Sequence, residues 1–194
     1  MNSPTTSPVS SPVSSPVSSP VSRPAVDGEH ADLLATLAKH RHLLRFTARD
    51  LTDEQAGQRT TASELCLGGL IKHVTAVEQE WAGFIMDGPA ALNDASAMTE
   101  DDWKKRADQF RMLPGETLDD VLAGYAEVAR TTDDLVGATL DLDAAHPLPK
   151  APWFAPGEQW TARRVVLHMI AETAQHAGHA DIIRESLDGA RTMG

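Results

Sequence analysis

The chain has 194 residues, of which 41% are hydrophobic, so it is long enough to bury one apolar core of ordinary size. Its formal net charge of -11 repels phosphate backbones, and no cluster of lysines and arginines reverses this charge locally, which excludes nucleic acid as a partner. The single cysteine, Cys66, excludes an internal disulfide and favours a cytoplasmic protein, and no run of about 18 apolar residues predicts a membrane span.

The start of the chain repeats the tetrapeptide Ser-Pro-Val-Ser. Proline at every fourth position forbids a helix, and isolated valines bury too little area to offset the entropy lost on ordering. The sequence therefore predicts a disordered tail over 1–26 and one domain over 27–194. The tail lacks the basic start and the continuous apolar stretch of a secretory signal, so it does not predict export.

Beyond the tail, apolar residues recur at three- and four-residue spacing in four long segments, the pattern of amphipathic helices. The predicted helices cover about 29–49, 63–86, 117–140 and 161–187, with a short helical or irregular excursion over 99–112. No segment shows sustained two-residue alternation. The predicted fold class is therefore all-α, a four-helix bundle.

Helix ends are predicted from capping residues. Thr61 with Glu64, and Thr117 with Asp120, have the spacing of capping boxes at the second and third helices. Thr161 is a good N-cap for the last helix, and Gly189 is expected to end it.

The last helix contains the stretch HMIAETAQHAGHADIIRE, in which four titratable residues share one stripe: His168, Glu172, His176 and His179. At 100° per residue they fall within a sector of roughly 80°. Val165 and Ile183 point into the same sector, so the stripe is expected to face the bundle interior. A carboxylate left unpaired there is costly, which means that a proton or a metal must satisfy it.

His73, in the second predicted helix, is the candidate ligand from another element, because a metal site needs more than one. A lone histidine beside Ile71 and Val74 is more commonly a hydrogen-bonded core residue than a ligand. An isolated Glu172 and His176 pair is likewise commonly a simple contact along a helix. Spacing alone leaves both interpretations open.

The sequence resembles the DinB-like superfamily, and within it the branch of uncharacterised and mycothiol-dependent proteins. The resemblance covers about residues 29–190 and is carried by the last-helix motif HM-x2-E-x3-H-x-GHAD-x2-RE, which this chain matches almost unbroken. The second-helix motif H-x3-E is matched less well, because Val77 stands four residues after His73 and Glu78 follows it. The resemblance implies an up-down-down-up bundle with one divalent metal held by three side chains.

Carried onto this chain, the ligands implied by the resemblance are His73, Glu172 and His176, as in the mycothiol-dependent maleylpyruvate isomerase type. Two imidazoles and one carboxylate suit Zn²⁺, with Fe²⁺, Ni²⁺ and Mn²⁺ as alternatives, and three protein ligands leave a position open. The implied function is a thiol S-transferase or isomerase, in which a small-molecule thiol such as mycothiol attacks a small electrophile. The resemblance also leaves a homodimer open.

The neighbouring residues have two interpretations each. His179 is a candidate acid/base, or else a residue that packs beside the site and orients a ligand. Arg184 is a candidate for binding a cofactor or substrate carboxylate, or else a member of an ordinary ion pair. The aromatic residues Trp153, Phe154 and Trp160 form either an apolar lid over the site or an anchor between loop and core.

Two other functions remain open from the sequence. One is a non-catalytic metal-binding stress or ligand-binding protein with the same fold. The other is a mononuclear non-haem iron enzyme, because two histidines and one carboxylate also form its facial triad. A di-iron site fits the sequence poorly, since it would need two Glu-x-x-His motifs and the sequence contains none.

Overall fold

The computed structural model describes Met1 and residues 28–92, 94–95, 97–137 and 140–192. The predicted disordered tail, apart from Met1, lies outside the described residues. The described part contains six α-helices and two short strands: α1 (Gly28–Thr47), α2 (Asp53–Ala56), α3 (Leu67–Asp87), α4 (Glu100–Asp108), α5 (Leu118–Gly137), β1 (Ala145–Pro147), β2 (Gln159–Thr161) and α6 (Ala162–Asp188). The all-α fold class predicted from the sequence is confirmed.

The last helix begins and ends at the predicted residues. The side chain of Thr161 accepts a hydrogen bond from the backbone N–H of Arg164 at 3.2 Å. Gly189 follows the helix with a φ of 79°, a left-handed conformation that a residue without Cβ adopts at no steric cost. Thr117 caps α5 in a similar way, accepting from the backbone N–H of Asp120 at 3.1 Å.

The predicted start of the second helix is wrong. Thr61 does not cap a helix with Glu64; its hydroxyl accepts from the backbone N–H of Ser63 in a bend, and Glu64 pairs with Arg59 at 2.7 Å. The helix α3 begins at Leu67, and its N-cap, Cys66, makes no side-chain capping bond. Thr61 therefore bonds two residues ahead in a bend that precedes the helix, and its spacing to Glu64 does not mark a helix start.

The four long helices, α1, α3, α5 and α6, pack in an up-down-down-up arrangement. α1 and α6 run parallel, because Glu29 pairs with Arg163 near both starts and Thr47 accepts from Arg184 near both ends. α5 runs antiparallel to α1, because Arg41 pairs with Asp133 while Leu34, earlier in α1, lies near Gly137, later in α5. α3 runs antiparallel to α6, because His73 lies against His176 while Trp81, later in α3, lies against His168, earlier in α6.

The bundle interior contains two apolar clusters, one toward each end. Trp81, Phe84, Val165 and Met169 belong to the first cluster, and Leu70 belongs to the second. Polar side chains lie between the two clusters, at the middle of the bundle. This middle layer is where α3 and α6 bring their titratable residues together.

A two-stranded antiparallel sheet, which the sequence analysis did not predict, leads into α6. Strand β1 pairs with β2 so that His146 lies opposite Trp160. The ring of His146 also lies 3.3 Å, at Nε2, from the carbonyl of Ile85. The sheet therefore fixes the proline-rich connection against the end of α3 and brings Trp160 into the core.

Candidate metal centre

The three predicted ligands lie together between α3 and α6. His73, Glu172 and His176 each offer one ligand atom, and these atoms lie within 4.8 Å of one another. Within α6, the four-residue spacing brings Nε2 of His176 to 3.5 Å from Oε2 of Glu172. Across the helix pair, the rings of His73 and His176 meet edge to face with centroids 4.9 Å apart.

The stripe on α6 faces the bundle interior, as the sequence predicts. Val165, before the stripe, has no exposed surface, and Ile183, after it, is 3% exposed. Solvent exposure differs among the three candidate ligands: His73 is 7% exposed, while the side chains of His176 and Glu172 are 13% and 28% exposed. The site therefore opens to solvent on the side of Glu172 and is closed behind His73.

The donor set fits a divalent metal ion. In tetrahedral zinc sites, ligand atoms bound at the usual distances lie roughly 3.3 Å apart, which the 3.5 Å between His176 and Glu172 matches. In the described part of the chain, Nδ1 of His73 is buried and has no hydrogen-bond partner. An unsatisfied buried nitrogen in such a cluster is the kind of atom that a bound ion would satisfy.

The charge states suit metal binding at neutral pH. Burial, with a smaller effect from neighbouring His176, lowers the pKa of His73 to about 4, so the ring is neutral and can act as a ligand. The hydrogen bond with His176 lowers the pKa of Glu172, which is therefore ionised. Two imidazoles and one carboxylate are a common donor set of catalytic zinc sites.

The chain matches a known protein family. A sequence model of the mycothiol-S-transferases matches residues 32–189, which run from α1 to the end of α6. The chain belongs to the mycothiol-S-transferase family. No curated protein matches this chain. None of the described helices is both long enough and apolar enough to cross a membrane.

In this mycothiol-S-transferase family member, His179 contacts a ligand candidate from behind. Its Nδ1 lies 3.4 Å from Nδ1 of His176, whereas Nε2 of His176 is the atom that faces Glu172. His179 is thus placed to fix the orientation and tautomer of the His176 ring. Its role as an acid/base stays a prediction.

His168 lies in an aromatic cluster rather than among the candidate ligands. Its ring meets those of Trp81 and Trp160 edge to face, with centroids 4.9 and 5.2 Å apart, and the two indoles stack at 4.8 Å. Trp160 is 8% exposed and Phe154 packs against it, so both anchor the loop to the core. Trp153 is 62% exposed.

Arg184 is engaged by the protein itself. Its guanidinium donates to the carbonyls of Thr47 at 2.8 Å and Arg49 at 2.6 Å, and it pairs with Asp188 at 2.8 Å. These bonds tie the end of α6 to the turn that follows α1. The contacts of Arg184 do not support its predicted binding of a cofactor or substrate carboxylate, which stays a prediction.

Glu78, the other acidic residue near His73 in sequence, belongs to a separate buried ion pair. It is 1% exposed and pairs with Arg41 at 2.5 Å, and Arg41 also reaches Asp133 at 2.7 Å. This network joins α1, α3 and α5. Because Glu78 is already neutralised by Arg41, it is not available as a fourth ligand.

The sequence analysis missed the contribution of the segment after α4. The ring of Phe110 stacks on that of His73 with centroids 4.0 Å apart. The backbone approaches α3 so closely that a Cβ on Gly69 would lie 2.1 Å from the Phe110 carbonyl oxygen. The adjacent glycines 68 and 69 near the start of α3 were the signal for this approach, since a helix seldom carries two without a packing reason.

Proposed function

We propose that the protein is a metal-dependent thiol S-transferase or isomerase in which His73, Glu172 and His176 hold one divalent ion. Zn²⁺ fits best, and Fe²⁺, Ni²⁺ and Mn²⁺ are alternatives. The proposal rests on the cluster of three potential ligand atoms that lie within 4.8 Å of one another in a member of the mycothiol-S-transferase family. When bound, the ion would supply an open coordination position at which a thiol loses its proton at neutral pH.

The thiol in this proposal is a low-molecular-weight thiol such as mycothiol, in keeping with the family. In a transfer, the sulfur forms the new C–S bond with its electron pair, the bond to the leaving group breaks, and the thiol proton leaves with that group. In an isomerisation, the thiol adds to the electrophile and is released again after bond rotation. The thiol is then regenerated.

The chain itself would contribute positioning and exclusion of water. Phe110 covers one face of His73 and so would shield this ligand from water. The partly exposed Glu172 marks the side from which small molecules would enter. Nδ1 of His179 would accept a hydrogen bond from the Nδ1–H of His176 and so keep Nε2 of His176 free as a ligand. A cytoplasmic location belongs to the proposal, because low-molecular-weight thiols and the buried, unpaired Cys66 suit a reducing compartment.

The test combines metal analysis with a thiol panel. Purified protein is expected to bind one divalent ion per chain and to accelerate the reaction of mycothiol with a generic electrophile. Glu172→Gln is expected to lose both the ion and the activity. Glu185→Gln, an exposed residue of the same helix, is the matched control and is expected to keep both.

Other outcomes identify other functions. One ion per chain with no activity toward any thiol would support a non-catalytic binding protein. Oxygen consumption by the Fe²⁺ form alone would support a mononuclear iron enzyme. Protein that binds no divalent ion, with full activity in Glu172→Gln, would overturn the metal-dependent proposal.

A further inference from the structure

The outer face of α6, which points away from the bundle interior, carries apolar side chains that no described element covers. It comprises Leu167, Ala171, Gln175, Gly178 and Ile182, which are all exposed and fall within a sector of roughly 80° at 100° per residue. Leu167 and Ile182 are 51% and 63% exposed. A helix of an isolated domain usually turns such large apolar side chains inward, so this face has the composition of a contact surface.

Small residues in the middle of the outer face allow another backbone to come close. Gly178 stands in the interior of α6, where glycine destabilises a helix by about 1 kcal/mol relative to alanine. A Cβ at this position would meet no atom within 4 Å outside the neighbouring turns of α6. The described fold therefore gives no steric reason for a glycine here, whereas a second helix packed closely against the face does.

The outer face is symmetric about the point between Ala174 and Gln175. Residues at equal distances on either side of this point match in kind or in charge: Leu167 with Ile182, Ala171 with Gly178, and Arg164 with Glu185. If two copies of α6 pack antiparallel with a twofold axis at this point, each residue lies at the level of its match in the other copy. Apolar residues then meet apolar ones, small residues meet small ones, and a guanidinium meets a carboxylate at each end.

The charges at the two ends of the face select one orientation. Arg164 and Glu185 are exposed and pair within the chain at its surface, with Glu158 at 3.5 Å and Arg191 at 2.6 Å. Such exposed pairs are weak and can exchange partners. An antiparallel copy places Glu185 against Arg164 at both ends, whereas a parallel copy would place like charges together. The surface complementary to this face is thus the same face of a second molecule.

We propose that the outer face of α6 binds the same face of a second copy of this chain, forming an antiparallel dimer with twofold symmetry. The proposal is independent of the transferase function, because the candidate ligands Glu172 and His176 meet His73 on another side of the helix. From Arg164 to Glu185 the face is roughly 30 Å long, and one pair of helices of that length buries less than the ~800 Å² per partner of a typical stable complex. We therefore expect a reversible dimer whose fraction rises with protein concentration.

Sedimentation velocity of the full chain, without added metal or thiol, measures the association. The wild-type protein is expected to shift from monomer to dimer as its concentration rises. Ile182→Glu is expected to weaken the dimer roughly 100-fold, because its contact with Leu167 occurs twice in each dimer. Met86→Glu, which replaces an equally exposed apolar side chain on α3, is the matched control and should leave the association unchanged.

A charge exchange tests the antiparallel pairing. Arg164→Glu and Glu185→Arg are each expected to weaken the dimer roughly 10-fold, since either substitution alone places like charges together at both ends. The double variant exchanges the two charges and is expected to restore the wild-type association. A double variant that associates as weakly as the single ones would show that these two residues do not face each other.

A cysteine at the centre of the face tests the position of the twofold axis. Gln175→Cys brings two thiols together across the axis, and diamide is expected to take two electrons and two protons from them, leaving a disulfide-linked dimer. Glu185→Cys is the control, because its two copies would lie roughly 30 Å apart. Cys66 is 1% exposed and does not interfere. A wild-type protein that stays monomeric at every concentration, or equal cross-linking of the two variants, would overturn the proposal.

Discussion

Gly69 lies directly beneath the carbonyl group of Phe110, so closely that a Cβ on this glycine would stand 2.1 Å from the oxygen. The obstacle is backbone, which cannot rotate away as a side chain can. The absence of a side chain at Gly69 is therefore what lets the segment after α4 close over α3 and place the Phe110 ring on His73. A glycine on one helix thus sets the surroundings of a candidate ligand one turn later.

Gly69→Ala is expected to push the Phe110 segment away from α3. The forced shift should lower the free energy of unfolding by about 1–3 kcal/mol, and loss of the Phe110 contact should weaken metal binding. Denaturant unfolding and metal titration measure the two effects. Gly124→Ala is the matched control: apart from the adjacent turns of its own helix, no atom lies within 4 Å of its added Cβ, so this helical site should gain up to about 1 kcal/mol. Equal effects of the two substitutions would show that the close approach is unimportant.

His179→Ala is expected to lower the affinity for Zn²⁺ about 10- to 100-fold, because the His176 ring loses the neighbour that orients it. The stability of the metal-free protein should change little. Titration against a competing chelator measures the affinity, with His42→Ala as a control at an exposed histidine of α1. An unchanged affinity would mean that His179 does not position His176.

Zn²⁺ is expected to stabilise the metal-free protein. At a free concentration 100 times its Kd, an ion that binds only the folded state adds about 2.7 kcal/mol, a rise in Tm of roughly 5–10 °C for a domain of this size. Differential scanning calorimetry with and without Zn²⁺ measures the rise. Glu172→Gln should abolish it, whereas the same rise in that variant would place the ion elsewhere.

Glu78→Gln is expected to destabilise the fold by about 3 kcal/mol or more, because it leaves the buried guanidinium of Arg41 without its main counter-charge. Glu127→Gln breaks a solvent-exposed pair with Arg130 and should leave the stability nearly unchanged. Chemical denaturation compares the two variants. Zn²⁺ affinity should be the same in both, and its loss in Glu78→Gln alone would mean that Glu78 belongs to the metal centre.

Local signals in the sequence were sufficient to predict those features that depend on a single helix. The bounds of α6 follow from Thr161 and Gly189, and the alignment of Glu172 with His176 follows from the helical period. The start of α3 was predicted wrongly because a capping spacing is only a local signal, and Thr61 instead bonds to Ser63 in a bend. A sequence signature of four residues does not distinguish a helix start from such a bend.

Contacts between distant segments could not be read from periodicity. The pairing of β1 with β2 joins three residues to three others across a proline-rich loop, too short a run to show alternation. Phe110 belongs to no motif and reaches His73 only because the segment after α4 closes over α3. The candidate ligands were found from a resemblance, but the residues that surround them depend on tertiary packing.

The aromatic cluster beside the candidate centre gives the protein a built-in optical signal. Two of its four tryptophans, Trp81 and Trp160, are stacked in this cluster, and His168 touches both from a position one helical turn before Glu172. A charge placed on Glu172, or a small shift of α6, would alter the field around both indoles. Intrinsic fluorescence should therefore follow events at the centre in real time, without a dye, in the unmodified chain.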